Sequence, residues 1–296
     1  MHRTIAAAAF GAEAPATPDM KAVLVTGASS GIGRKITERL AAAGCLVYAG
    51  ARKDADLQAL GSMRNVRPVR LDVNKPQEIE AARDAIEQGG HGLYGLVNNA
   101  GVLTTGRVVT TTMAEFDTVI STNVYGPWRI TRAFAPLLIA ARGRVVNISS
   151  VSGIVSYAET GAYSMSKFAV EAFTDALAQE MAPLGVQVSA VEPGTYRSNI
   201  IRNEVQRSGT GGQYLDYAAQ AKEPDEVAAA VEQALFEPGP RLRYLVVPNE
   251  EEARIAIGAQ IQRLVELNER QRYSYDRDAL VKLLDEALHR TPPQGR

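Results

Sequence analysis

Tyr163 and Lys167 stand four residues apart in the run Tyr-Ser-Met-Ser-Lys, and a helix through them would set both side chains on one face, about 5–6 Å apart at Cβ. An ammonium held beside a phenol favours the phenolate and draws its acidity down from an ordinary pKa of about 10 toward working pH. Such a tyrosine can exchange a proton with a substrate. Two side chains merely stacked along a helix would show the same spacing, so the pair acquires meaning only with company. A second stretch supplies it: Thr26-Gly27-Ala28-Ser29-Ser30-Gly31-Ile32-Gly33 follows an apolar run and leads into the helical text RKITERLAAAG. A glycine-rich turn from strand to helix lets the backbone approach a pyrophosphate, and the helix N-terminus adds N–H donors and the positive end of its dipole. The spacing is Gly-x-x-x-Gly-x-Gly, not Gly-x-Gly-x-x-Gly, yet the strand–turn–helix context reads as a dinucleotide site.

The elements that must position these residues alternate along the chain. Apolar, β-branched runs at Ala22–Val25, Leu46–Ala49, Val66–Leu71, Gly95–Asn98, Arg144–Ile148, Gln187–Val191 and Tyr244–Val247 predict seven strands. Helical spacing is expected over Ile32–Ala43, Pro76–Glu87, Met113–Ala141, Ala162–Met181 and Pro224–Phe236, with two further helices near Glu250–Arg270 and Asp276–Arg290. Strands that are apolar throughout, separated by helices, imply a parallel sheet covered on both faces, a doubly wound α/β fold of the Rossmann type. Residues 196–223 mix three glycines with scattered apolar side chains and read as a substrate lid with short helices. The expected organisation is a tail over 1–19, a catalytic domain over 20–248 and a C-terminal helical extension over 249–296.

Composition narrows the chemistry. The chain has 296 residues, 46% hydrophobic and 22% charged, which suits one large globular domain. A net charge of -1 gives no reason to expect nucleic acid or anionic lipid as a partner. Cys45 is the only cysteine, which excludes an internal disulfide and a thiolate-rich metal site and fits the reducing cytoplasm. His2, His91 and His289 lie far apart and have no motif neighbours, so no metal site is expected. The first nineteen residues hold a short apolar run, Ile5 to Phe10, too brief for a secretory core and soon followed by Glu13. No stretch is long and apolar enough to predict a membrane span.

The motifs together resemble the short-chain dehydrogenase/reductase family. TGASSGIG is similar to its cofactor loop, and Asn98-Asn99-Ala100-Gly101 after the fourth predicted strand is similar to its second signature. Small residues and amides at a strand end suit a floor for a sugar and adenine. The resemblance implies a catalytic set of Asn123, Ser150, Tyr163 and Lys167, Tyr163 lying thirteen residues after Ser150. It implies hydride transfer between a nicotinamide and a carbonyl or secondary alcohol. In that scheme Tyr163 moves the proton, Ser150 bonds the substrate oxygen, Lys167 also binds the ribose and Asn123 holds a water linking Lys167 to solvent. Cofactor contacts would come from Gly27, Ser29, Ser30, Gly31, Ile32, Gly33, Asp72, Val73, Asn99, Ala100, Gly101, Tyr163, Lys167, Pro193, Gly194 and Ser198. Tyr157 is a decoy for the catalytic tyrosine, because Gly161 stands where its lysine would be needed.

Cofactor choice turns on the end of the second strand. Relatives that prefer NAD usually carry an acidic residue where this chain has Ala51, and Arg52 follows it, so a 2′-phosphate and hence NADP(H) is expected over NAD(H). Arg52 and Lys53 as plain surface charges would be the alternative. Ser150, Val151, Tyr157 and Tyr196, with Val102 and Leu103, form the expected substrate wall, mostly apolar, for a small-molecule carbonyl or alcohol. The long C-terminus is similar to that of the steroid- and retinol-dehydrogenase-like branch, and a homodimer or homotetramer is usual in the family. A catalytically idle NADP(H)-binding sensor or scaffold is the rival reading, and the intact catalytic set argues against it. A serine hydrolase built on Ser150 lacks both a neighbouring histidine and a Gly-x-Ser-x-Gly elbow.

Overall fold

The computed structural model describes residues 20–289. Seven parallel strands form one sheet in the order β3-β2-β1-β4-β5-β6-β7. They are β1 (Ala22–Val25), β2 (Leu46–Ala51), β3 (Val66–Arg70), β4 (Gly95–Asn98), β5 (Arg144–Ile148), β6 (Gln187–Pro193) and β7 (Arg243–Val246). Residues of β1 and β4 are buried throughout, as their unbroken apolar text requires when helices cover both faces. The helices are α1 (Gly31–Ala42), α2 (Asp54–Gly61), α3 (Pro76–Gln88), α4 (Met113–Ile120), α5 (Gly126–Ala140), α6 (Gly161–Met181), α7 (Ile200–Ser208), α8 (Leu215–Gln220), α9 (Asp225–Phe236), α10 (Glu250–Asn268) and α11 (Arg277–His289). On one face Ile36 and Leu40 of α1 meet Val227, Val231 and Leu235 of α9. On the other, Ile79 and Ile86 of α3 join Ile130, Phe134 and Leu138 of α5 and Leu177 and Met181 of α6. Each such side chain contributes about 1.5–3 kcal/mol by leaving water. The order reverses beside β1, which pairs with β2 on one side and β4 on the other, so a crevice opens at the carboxyl ends of those strands.

Two segments depart from the expected elements. The short helix α2 was not foreseen, because only Leu60 among its eight residues is buried and its apolar spacing is faint. The helix expected over Met113–Ala141 is interrupted by a π turn at Ser121–Tyr125. Pro127, just inside α5, has no N–H to give to the carbonyl of Asn123, so the ordinary ladder cannot pass through this point. Residues 196–223 carry the short helices α7 and α8. The tail expected over 1–19 and the last residues of the expected C-terminal extension lie outside the described residues.

The two C-terminal helices differ in how they attach. Helix α10 buries Ala256, bonds the carbonyl of Ile154 through Gln260 Nε2 at 3.3 Å and lays Arg263 over the Phe168 ring at 5.0 Å. Helix α11 buries no residue and is joined to α10 through reciprocal bonds between Asn268 and the backbone of Tyr275.

Candidate active site

The glycine turn is built to approach a ligand closely. Gly27 and Gly31 take left-handed φ values of 66° and 53°, which a side chain would strain. A Cβ on Gly33 would fall 2.3 Å from both Asn99 Nδ2 and the carbonyl oxygen of Gly27. The first turn of α1 carries no acidic residue and Ser30 makes no side-chain cap, so neither source gives its leading N–H groups an acceptor. This donor set fits a dinucleotide pyrophosphate. Ile32 packs partly into the core, leaving its main chain as the part that can serve a ligand.

Asn99 is a buttress more than a floor. Its side-chain amide donates to the carbonyls of Thr26 at 2.9 Å and Gly27 at 3.1 Å, while Thr26 Oγ1 accepts the N–H groups of Asn99 and Ala100, each at 3.0 Å. The second signature therefore fixes the shape of the first. Ala100 lies against Gly27, and Gly101 lies beside the Asn123 side chain. Thr26 was missed by the sequence reading, although it opens the very motif that was quoted. Ser198 arrives from the far side of the fold: a Cβ on Gly31 would lie 2.9 Å from that of Ser198.

Toward the adenine end, Asp72 accepts the N–H of Asn74 at 3.0 Å, which curls the chain after β3. Val73 is 5% exposed and packs in the core against Gly126, so it too has only main chain to offer a ligand. Arg52 and Lys53 are exposed at the end of β2, next to the buried Ala51. Arg70 joins them by donating to the Arg52 carbonyl at 2.6 Å and by pairing with Asp54.

The four residues of the expected catalytic set come from the π turn, the end of β5 and the start of α6. Asn123 is 2% exposed; its Oδ1 accepts Val102 N–H and its Nδ2 donates to the Val102 carbonyl, both at 2.8 Å, and to Ser166 Oγ at 3.0 Å. Its side chain is thus committed to stapling the turn after β4 to α6. Pro127 has no N–H to offer the Asn123 main-chain carbonyl. Ser150 Oγ accepts Ser152 N–H at 3.0 Å and is hydrogen-bonded with the Tyr163 hydroxyl. Lys167 is 6% exposed and donates to the Ile148 carbonyl at 2.8 Å, with its Nζ 5.6 Å from the centre of the Tyr163 ring.

Electrostatics here correct one expectation. Burial pushes the Tyr163 phenol up to about 12, outweighing the Ser150 bond that favours the phenolate. Burial also pulls Lys167 down to about 8, partly opposed by the charge of Glu171. The ammonium turns toward a carbonyl and not the phenol, so desolvation decides the tyrosine's state and Tyr163 is a neutral acid at physiological pH.

The expected substrate wall divides. Leu103 and Val151 are 8% and 7% exposed. Tyr157 is exposed, and its hydroxyl is held above its ordinary range by burial, then by the charges of Glu252 and Tyr217. Tyr196 does not belong with them: its ring is in the core and its hydroxyl donates to Glu226 of α9, so the side chain is spent on packing. Pro193 closes β6, and its carbonyl lies 3.5 Å from Ser150 Oγ. Gly194 and Thr195 lie against Glu252 of α10, whose carboxylate accepts Thr195 N–H at 2.8 Å. Helix α7 is fastened to residues 103–105 by two side chains that no motif marks. Glu204, fully buried on α7, accepts from Thr105 N–H, from Thr105 Oγ1 at 2.9 Å and from Thr210 Oγ1 at 3.0 Å. Arg207 donates to the Leu103 carbonyl and to Thr104 Oγ1.

The short chain dehydrogenase family matches residues 21–209. The chain belongs to this family. Among its relatives, the mitochondrial D-beta-hydroxybutyrate dehydrogenase of Bos taurus is 45% identical over 186 residues, which are 60% of this chain and 54% of that one. Retinol dehydrogenase 5 of Mus musculus is 43% identical over 191 residues, 62% of this chain and 58% of that protein. The short-chain dehydrogenase thus spans little more than half the length of these two curated relatives. A short-chain dehydrogenase from Streptomyces avermitilis has the same fold, with a TM-score of 0.73 and 32% identity over 85% of this chain and 96% of that one. The steroid- and retinol-dehydrogenase-like branch is where these similarities place it. Among the described residues no group of side chains is arranged to hold a metal ion, and no helix is long and apolar enough to cross a membrane.

Proposed function

We propose that this short-chain dehydrogenase is an NADP(H)-dependent oxidoreductase acting on a largely apolar carbonyl or secondary alcohol. The observation that carries the reading is the convergence of Ser150, Tyr163 and Lys167 at the carboxyl end of β5, beside a glycine turn fitted to a dinucleotide. A bound nicotinamide supplies or accepts the hydride. Gly27, Gly31 and Gly33 admit its pyrophosphate, the N–H groups at the start of α1 bond it, and Ser198 with Pro193 and Gly194 borders the ring. Ser150 Oγ bonds the substrate oxygen. Tyr163, neutral at physiological pH, donates the proton to that oxygen in carbonyl reduction and takes it back in alcohol oxidation. Lys167 holds the ribose and restores charge balance when the phenol ionises. The Asn123 carbonyl holds the water by which Lys167 exchanges protons with solvent.

Arg52 and Lys53, exposed and unopposed by an acid at position 51, support NADP(H). Leu103, Val151 and Tyr157 support an apolar substrate. A homo-oligomer in the cytoplasm completes the proposal, the latter supported by the single, buried cysteine. An idle sensor would have no use for the buried lysine and the Ser150–Tyr163 hydrogen bond. The test is fluorescence titration with NADPH and NADH, followed by a screen of ketones, aldehydes and secondary alcohols. Tighter NADPH binding and turnover of an apolar ketone are expected; binding without turnover across the panel would favour the sensor.

A further inference from the structure

One turn beyond Lys167, α6 presents Glu171 to the inside of the fold. Glu171 and Glu192 of β6 are 9% and 3% exposed, and both converge on the same atom of β7: Arg243 Nε lies 3.0 Å from Glu171 Oε2 and 3.5 Å from Glu192 Oε1. Arg243 reaches the surface through Asp175, another turn along α6, at 2.6 Å. Two buried carboxylates facing one guanidinium N–H disfavour each other's charge, so at neutral pH one of them holds a proton. Glu171 Oε1 is buried and lacks any other donor, and a proton on Glu192 supplies one. Burial, then the charge of Glu171, accordingly holds the Glu192 carboxyl up at about 8. The pair carries one negative charge below that pH and two above it.

We propose that Glu171 and Glu192 form a one-proton carboxyl pair whose negative charge, one helical turn from Lys167, favours the ammonium form of that lysine. Both are positioning residues, acting on the substrate only through Lys167, and the inference rests on Lys167 serving the cofactor and the proton path. The charged groups facing the pair are Lys167 and Asp175 from α6 and Arg243 from β7. With Glu192 protonated, Lys167, Arg243, Glu171 and Asp175 sum to zero. Ionisation of Glu192 at higher pH adds a second negative charge to the pair, which favours the Lys167 ammonium further.

The test is the pH dependence of both NADPH binding and turnover in the wild type, Glu171→Gln, Glu171→Asp and Glu192→Gln. Lys167 charge is lost as pH rises, so it governs the alkaline limb. Glu171→Gln should move that limb down by about one pH unit, the size of shift expected for a nearby opposite charge, and Glu171→Asp should restore part of it. Glu192→Gln imitates the neutral acid, so its effect should be confined to the alkaline side. An unmoved limb in Glu171→Gln, or a Glu192→Gln variant whose defect is as large at neutral pH as at alkaline pH, overturns the proposal. If Glu171→Gln fails to fold, the Glu192→Gln profile decides alone by the same criterion. A wild type that binds cofactor but turns nothing over would defeat the enzymatic reading while the binding limb still judged the carboxyl pair.

Discussion

Replacing Glu204 with alanine should unfasten α7 from residues 103–105. The Glu204 carboxylate accepts three hydrogen bonds, two from Thr105 and one from Thr210, and is fully buried. Hydrogen bonds to charged groups are worth about 1.5–3 kcal/mol each, but they do not add, and the two threonine hydroxyls can rotate toward other acceptors. The Thr105 N–H cannot rotate, and stranding a buried donor costs about 1–3 kcal/mol. A net loss of about 2–4 kcal/mol is therefore expected for the contact between α7 and residues 103–105, or roughly 30- to 1000-fold in its opening equilibrium. Amide hydrogen exchange followed by mass spectrometry reads this directly as faster exchange in residues 200–211, with the strands of the sheet unchanged. Glu204→Gln keeps one acceptor oxygen and should fall between the two. Exchange in this segment that is already fast in the wild type, or that changes less than about threefold in Glu204→Ala, would refute the latch. If the lid covers the substrate, adding cofactor and substrate should slow exchange there further in the wild type.

Three other outcomes follow from the same structure. Arg52→Ala should weaken NADPH binding while leaving NADH nearly unaffected, in paired fluorescence titrations; an unchanged preference would remove Arg52 from the cofactor site. Gly33→Ala should place a Cβ 2.3 Å from the Gly27 carbonyl and Asn99 Nδ2, so the turn must shift. Overpacking of that kind costs about 1–3 kcal/mol, visible as a lower Tm and roughly tenfold or more weaker dinucleotide binding. Glu192 keeps a proton in the folded chain up to about pH 8 that an ordinary carboxyl releases near 4.5, so its stabilising contribution is complete below about 4.5 and lost as pH rises to about 8. Denaturation curves across that range should show the decline in the wild type and a flatter profile in Glu192→Gln.

Strand text was legible because burial on both faces leaves little but apolar, β-branched residues, and β1, β4 and β5 have the predicted bounds. The motif residues were legible for a related reason: turns that need glycine and a Tyr-x-x-x-Lys pair on a helix leave marks at short range. What was hidden depends on distant partners. Nothing local in TNVYG tells that Asn123 uses its side chain on Val102 and Ser166, although Pro127 could have warned that the helix breaks there. Tyr196 reads as a wall residue by its place after Pro193-Gly194, yet Glu226, 30 residues away, draws it inward. The acidity of Tyr163 was misjudged because spacing gives the nearness of Lys167 but not the desolvation that both groups suffer. Glu204 and Glu192 look like ordinary helix and strand charges until the fold buries them.

The most direct test of the account is single-turnover hydride transfer with the best ketone from the screen, comparing the wild type with Tyr163→Phe at equal cofactor saturation. The substitution keeps the ring and removes the hydroxyl, and with it the transferable proton and the bond to Ser150. NADPH binding should be nearly intact and the hydride step slower by about 10²–10⁴-fold, the usual worth of a positioned general acid. A variant that transfers hydride at close to the wild-type rate would contradict the role assigned to Tyr163, and with it the mechanism built on Ser150, Tyr163 and Lys167.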